Sequence, residues 1–129
     1  MSRVIHFEIH AEQPERACKF YSSLFGWEIT KWNGPIEYWI VRTGAAGTPG
    51  IDGGILRRQG AGPVEMQAVN AYVCTIDVAN IEEMLKAIPA HGGTLAVPKM
   101  PIPGMGWLAY FKDTEGNIFG VMQADATAK

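Results

Sequence analysis

The chain is poor in cysteine. It has only Cys18 and Cys74 in 129 residues, and they form no CxxC pair and no bridge framework, which excludes a disulfide-stapled scaffold. It also lacks any apolar run near the ~18 residues that span a bilayer. Met1-Ser2-Arg3 leads into an alternating segment rather than the apolar stretch of a secretion signal. A cytoplasmic location is therefore expected. Basic charge is scarce too: eleven Lys and Arg against thirteen Asp and Glu leave a formal net charge of −2. Arg57-Arg58, the only basic pair, is too short to track a phosphate backbone. Composition thus argues against nucleic acid and membrane as partners. No nucleophile constellation stands out, since the adjacent Ser22 and Ser23 have no identified histidine partner. The glycine-rich segments lack the strand-to-helix setting of a phosphate cradle.

What is present is a core-forming composition, 47% hydrophobic, with fifteen glycines and eight prolines. That mix suits one domain over 1–129 with many turns and much strand. Val4–His10 alternates apolar and polar residues at period two, which predicts a half-buried strand. Pro14 then sits near the start of a helix in which Ala17, Phe20, Tyr21, Leu24 and Phe25 form an apolar stripe, and Gly26 is placed to cap it. Strand-like Trp27–Trp32, Ile36–Thr43 and Gly54–Arg57 follow.

The second half repeats this order. Val69–Ile76 reads as a strand and Asn80 as an N-cap. Ile81, Met84, Leu85 and Ile88 make the helical stripe, and Pro89 with Gly92-Gly93 is expected to end it. Thr94–Pro98, Trp107–Lys112 and Asn117–Gln123 complete three more strands. Each half is βαβββ, module one over about residues 3–58 and module two over about 68–124. The expected class is α+β, with two tandem modules forming a curved, barrel-like mixed sheet, helices outside, and a shared cleft. Three loops punctuate the chain: Gly44–Gly53, Gln59–Gln67, and Met100–Gly106 with its two prolines and two further glycines. The last is a candidate rim for that cleft.

With this duplication, the opening His6-Phe7-Glu8-Ile9, the helical Phe20-Tyr21, Phe25-Gly26-Trp27 and the closing Asp113-Thr114-Glu115-Gly116-Asn117 resemble the vicinal oxygen chelate superfamily. That group includes glyoxalase I, extradiol dioxygenases and the fosfomycin- and bleomycin-resistance proteins. The resemblance covers about residues 3 to 124, and is nearest to small bacterial glyoxalase-like proteins. It implies metal ligands on the first and last strands of each half. His6 matches the first of these positions, fifteen residues before Tyr21. The others fall on Gly53-Gly54-Ile55-Leu56, on Ala71 or Val73, and on Gly120. None of these side chains is a ligand of the family's kind, so His6 alone matches and no metal or other cofactor is expected. A divalent metal stays open as a minor reading. The resemblance also implies a homodimer.

His6, Glu8 and His10 share one strand face, with neighbouring Cβ atoms roughly 7 Å apart. Two adjacent members have room to converge on one ion only with help from another strand. Without metal, His6 and Glu8 are candidates to hydrogen-bond a ligand or exchange a proton with it; the plain alternative is a hydrated polar pair. His10 is expected to be solvated and His91 to face its helix C-terminus. Of the four tryptophans, Trp107 is the candidate cleft residue, beside Gly120 and Met122. Room left by Gly120 is expected to admit an apolar ligand. The sequence thus reads as a small-molecule-binding protein for an apolar or aromatic ligand, in the manner of the bleomycin-resistance branch. The candidate ligand-binding residues are His6, Glu8, Trp107, Gly120 and Met122. The alternative is a lyase, isomerase or dioxygenase-type enzyme, not a standard metal-dependent glyoxalase I, with His6 and Glu8 as its candidate catalytic residues.

Overall fold

The computed structural model describes residues 2–70, 72–115 and 117–129. The elements run β1 (Val4–Ala11), α1 (Pro14–Phe25), β2 (Glu28–Lys31), β3 (Trp39–Arg42) and β4 (Asp52–Arg57). After these come β5 (Val73–Asp77), α2 (Ile81–Ala90), β6 (Thr94–Ile102), β7 (Gly106–Lys112) and β8 (Ile118–Ala124). The chain is α+β and repeats βαβββ twice, as the sequence pattern indicates. Among the described residues no helix is long and apolar enough to cross a membrane. Two compact units divide it: His6–Tyr72, and Val73–Lys129 together with the residues up to Ile5.

In the first unit the strand order is β2-β3-β4-β1. β1 and β4 pair in parallel, and the other neighbours pair antiparallel. In the second unit the order β5-β8-β7-β6 is the same pattern, with β5 and β8 parallel. First and last strands of each repeat therefore lie side by side at one end of its four-strand order. One face of each sheet is apolar. Phe7, Ile9, Trp39, Val41 and Ile55 form one buried cluster, against which Ala17, Cys18 and Tyr21 of α1 pack. Val78, Ile81, Ala109, Phe111 and Val121 form the other, with Met84, Leu85 and Ile88 of α2. Alternation in β1 leaves His6, Glu8 and His10 on the face away from Phe7 and Ile9.

The helix ends follow local chemistry. Pro14 occupies the first turn of α1, where its missing N–H costs no bond. Gly26 ends α1 at φ 73°, left-handed backbone that suits glycine, and its N–H bonds the Ser22 carbonyl. At α2 the Asn80 side chain accepts the N–H groups of Glu82 and Glu83, a cap worth about 1 kcal/mol. His91 sits at the helix C-terminus, its Nδ1 within 2.8 Å of the Ala87 carbonyl oxygen. Both cysteines are free and half-buried, and burial raises the Cys18 pKa, which keeps the thiol protonated at neutral pH.

Several boundaries differ from the sequence reading. Pro89 does not end α2; it lies inside the last turn, which runs to Ala90. The end comes at Gly92, whose φ of 98° turns the chain and lets the Gly93 N–H bond the Ile88 carbonyl. Met100–Gly106 is not one loop, because β6 continues to Ile102 and pairs Pro101 with Trp107. β6 is an edge strand with register irregularities between Leu95 and Met100, and edges and bulges are where proline is tolerated. Only a tight turn remains, with Met105 N–H on the Ile102 carbonyl and Gly104 N–H on the Ala128 carbonyl. The strand read over Val69–Ile76 begins at Val73 instead. Val69 is 97% exposed and so lies outside the core, and Ala71 lies outside the described residues, as does Gly116 of the closing motif.

Candidate functional site

On the polar face of the first unit, β1 sets His6 beside Asp52 and Glu8 beside Gly54, while β3 sets Ile40 on the far side of Gly54. Glu8 is a charged residue only 8% exposed. His6 Nε2 lies 2.7 Å from the Tyr38 hydroxyl oxygen, a hydrogen bond between imidazole and phenol. Their rings are nearly parallel, 14° apart at 6.4 Å between centroids. Tyr38 reaches His6 by lying on Gly54, where an added Cβ would fall 2.0 Å from the phenol carbon Cζ and from the hydroxyl oxygen. Trp32 then meets Tyr38 edge-on, at 6.2 Å and 77°. The result is an aromatic wall, Trp32 and Tyr38, leading to a polar end formed by His6, Glu8 and Asp52.

Burial lowers the His6 pKa below its ordinary value, and the nearby negative charges of Glu8 and Asp52 oppose this without cancelling it. His6 is therefore neutral at pH 7. The folded imidazole resists a proton that the unfolded one accepts at its ordinary pKa of 6.5. The associated stability is complete above that value. It falls as pH drops below it and stops falling once the folded pKa is passed. The drop in urea midpoint between about pH 7.5 and about pH 5.5 is expected to be smaller in His6→Asn than in the wild type. Equal drops would show that the folded imidazole titrates normally.

His10, half-buried rather than fully solvated, lies at the end of the same face. In the second unit Gly120 pairs with Thr75 and Tyr110. The expected room at Gly120 is already taken: a Cβ there would stand 3.1 Å from both Thr75 Oγ1 and the Tyr110 ring. Met122 pairs with Leu108 and shares the Gly120 face. Trp107 does not join them. It packs on the opposite face against the cluster of Ala109, Phe111 and Val121. There its indole N–H donates to the Asp125 carboxylate at 3.1 Å, and Lys99 lies over its ring at 4.9 Å. Trp107 is thus a half-buried residue flanking the core, on the face opposite Gly120. Hollows of about 470 Å³ beside Phe20 and Leu24 and about 400 Å³ beside Met84 and Ile88 flank the helices, and His6 and Glu8 line neither.

Sequence reasoning passed over Tyr38, Asp52 and Trp32. A signal was available for Tyr38. Trp39 and Val41 alternate with Tyr38 and Ile40, so an aromatic ring just before β3 shares the parity of Ile40, and two consecutive glycines, Gly53 and Gly54, offer bare backbone to receive one.

A divalent metal needs several donors converging at about 2.0–2.2 Å. Here His6 Nε2 is engaged by Tyr38, Gly54 and Gly120 supply no donor atom, and tyrosine rings cover both glycines. Among the described residues no three His, Cys, Asp or Glu side chains come together to hold an ion.

Comparison with known proteins agrees with this architecture. No curated protein matches the chain. A hypothetical protein from Bacillus halodurans C-125 superposes with a TM-score of 0.67 at 13% identity, covering 99% of this chain and 98% of that one. A variant of Streptomyces coelicolor methylmalonyl-CoA epimerase in complex with 2-nitronate-propionyl-CoA gives 0.67 at 14% identity, covering 98% and 97%. A glyoxalase/bleomycin resistance protein/dioxygenase superfamily member from Vibrio splendidus 12B01 gives 0.61 at 16% identity, covering 97% and 100%. At these identities the likeness is one of fold. The family model for the same superfamily matches residues 3–121. The chain belongs to the Glyoxalase/Bleomycin resistance protein/Dioxygenase superfamily.

Proposed function

We propose that this superfamily member binds a small apolar or aromatic molecule on the His6 face of its first unit, without a metal ion. The observation that carries the reading is the imidazole–phenol hydrogen bond of His6 and Tyr38 beside the buried carboxylate of Glu8. Trp32 and Tyr38 offer ring surface for stacking. Ile40 adds apolar surface on the same face. Glu8 and Asp52 give the polar end negative charge, so an uncharged aromatic is favoured over its carboxylate counterpart. A cytoplasmic homodimer is part of the same reading; the free thiols support the location, and sedimentation tests the dimer.

Metal analysis of protein purified without chelator is expected to find no stoichiometric nickel, zinc, iron or manganese. A thermal-shift screen of neutral aromatics, each paired with its carboxylate, tests binding. A true ligand at a hundred times its Kd stabilises the fold by about 2.7 kcal/mol. The shift is expected to disappear in His6→Ala. Neutral compounds that leave the melting point unchanged, or that shift the variant equally, would remove this reading.

A second reading is acid–base enzymology. Neutral His6 and buried Glu8 stand two residues apart on one face, as a proton-exchanging pair requires. One fold neighbour is named as an epimerase. Deuterium entering a bound ligand from heavy water, and failing to enter with Glu8→Gln, would favour it.

A further inference from the structure

We infer that Tyr38 is the positioning residue of the His6 site: seated on a side-chain-free glycine, it fixes the imidazole in one orientation and one tautomer. The inference rests on the His6 face being the binding site, and adds the residue that organises it. Three observations combine. The Tyr38 hydroxyl oxygen is 2.7 Å from His6 Nε2. The ring covers Gly54 so closely that any side chain there would overlap it, at 2.0 Å. Trp32 meets the ring edge-on at 6.2 Å, so Tyr38 is held by Gly54 and Trp32 together.

The arrangement recurs. In the second unit Tyr110 covers Gly120, its ring 3.1 Å from where a Cβ would stand. Gly54 and Gly120 both belong to the last strand of their repeat. Bare glycine under a tyrosine ring is therefore a feature of both repeats, and in the first the ring is tied to a histidine.

The chemistry of the pair assigns the proton. The phenol is the more acidic partner and the unprotonated imidazole nitrogen the better acceptor, so Tyr38 O–H donates to Nε2. The imidazole's own proton then resides on Nδ1, because the bond made by one ring nitrogen sets the state of the other. Neutrality of His6, imposed by burial, keeps that acceptor available at pH 7. A ligand therefore meets an imidazole whose Nε2 lone pair is engaged by Tyr38.

Nitrogen-15 spectra of the histidine rings in the ligand-free protein test this. The wild type is expected to show His6 with its proton on Nδ1 and none on Nε2. Tyr38→Phe keeps the ring on Gly54 but removes the hydroxyl. It is expected to move His6 toward the Nε2–H form that free imidazole prefers, and to weaken binding of any ligand found on this face about tenfold. A wild-type His6 carrying its proton on Nε2, or a pattern unchanged in Tyr38→Phe, would overturn the inference. Should Tyr38→Phe fail to fold, the wild-type spectrum decides alone. The two proposals fail separately. A single locked tautomer in a protein that binds nothing removes the functional reading only, whereas ligand binding with a mixed tautomer removes this inference only.

Discussion

Gly53→Ala is expected to destabilise the protein by about 3 kcal/mol, the upper end for forcing a methyl into packed surroundings. The new Cβ would lie 2.4 Å from the Phe7 carbonyl oxygen and 2.6 Å from its ring. Gly53 and Phe7 are register partners in the parallel β1–β4 pair, so the clash is with backbone that the sheet holds in place. Alanine's entropic advantage over glycine in the unfolded chain, about 0.4–1 kcal/mol, offsets only part of it. Urea unfolding is expected to show a lower midpoint at unchanged slope, with a melting point down by about 10 °C. Trimming the ring in Phe7→Leu is not expected to rescue the variant, because the carbonyl remains. Gly53→Ala within 1 kcal/mol of wild type would show that β1 and β4 separate more readily than their pairing implies.

Much of the fold was legible because it rests on periodicity. The alternation in Val4–His10 located β1, and Pro14 near the start with Gly26 at the end framed α1. The repeated order of elements announced the shared strand topology of the two units. The misreadings arose where a residue's effect depends on its partner strand. Proline in β6 looked like loop because sequence alone does not reveal that β6 is an edge strand with bulges. Pro89 looked like a terminator, although a last-turn proline disturbs a helix that is ending anyway.

The candidate site divides the same way. That His6 and Glu8 share a face follows from side-chain alternation alone. Which face carries Trp107 depends on pairing: Leu108 opposes Met122 and Tyr110 opposes Gly120, so odd-numbered Trp107 falls with Ala109 and Phe111 on the helix side. The room expected at Gly120 was a statement about a missing side chain, but occupancy is set by Thr75 and Tyr110 on the neighbouring strands. Tyr38 lies before β3 begins, so its link to His6 requires both the register and the direction in which the ring turns. Neither is written in a single segment of sequence.

Gly54→Ala is expected to behave unlike Gly53→Ala although the two are neighbours. Here the Cβ meets the outer end of the Tyr38 ring, at 2.0 Å from Cζ and from the hydroxyl oxygen, and a half-buried ring is able to swing away. The cost is then the lost hydrogen bond to His6, about 1 kcal/mol, and the lost packing on Trp32, about 0.5–1.5 kcal/mol, or about 2 kcal/mol together. In a Tyr38→Ala background that penalty has no source. The same glycine-to-alanine change should be neutral or stabilising by a few tenths of a kcal/mol. The double-mutant cycle is therefore expected to return a coupling of about 2 kcal/mol, at the strong end for residues in contact. His6 in Gly54→Ala should show the ring spectrum of Tyr38→Phe, since each variant breaks the same bond, one by moving the phenol and the other by removing its hydroxyl. Additive stabilities in the cycle, or an undisturbed His6 in Gly54→Ala, would mean that the tyrosine does not depend on the bare glycine beneath it.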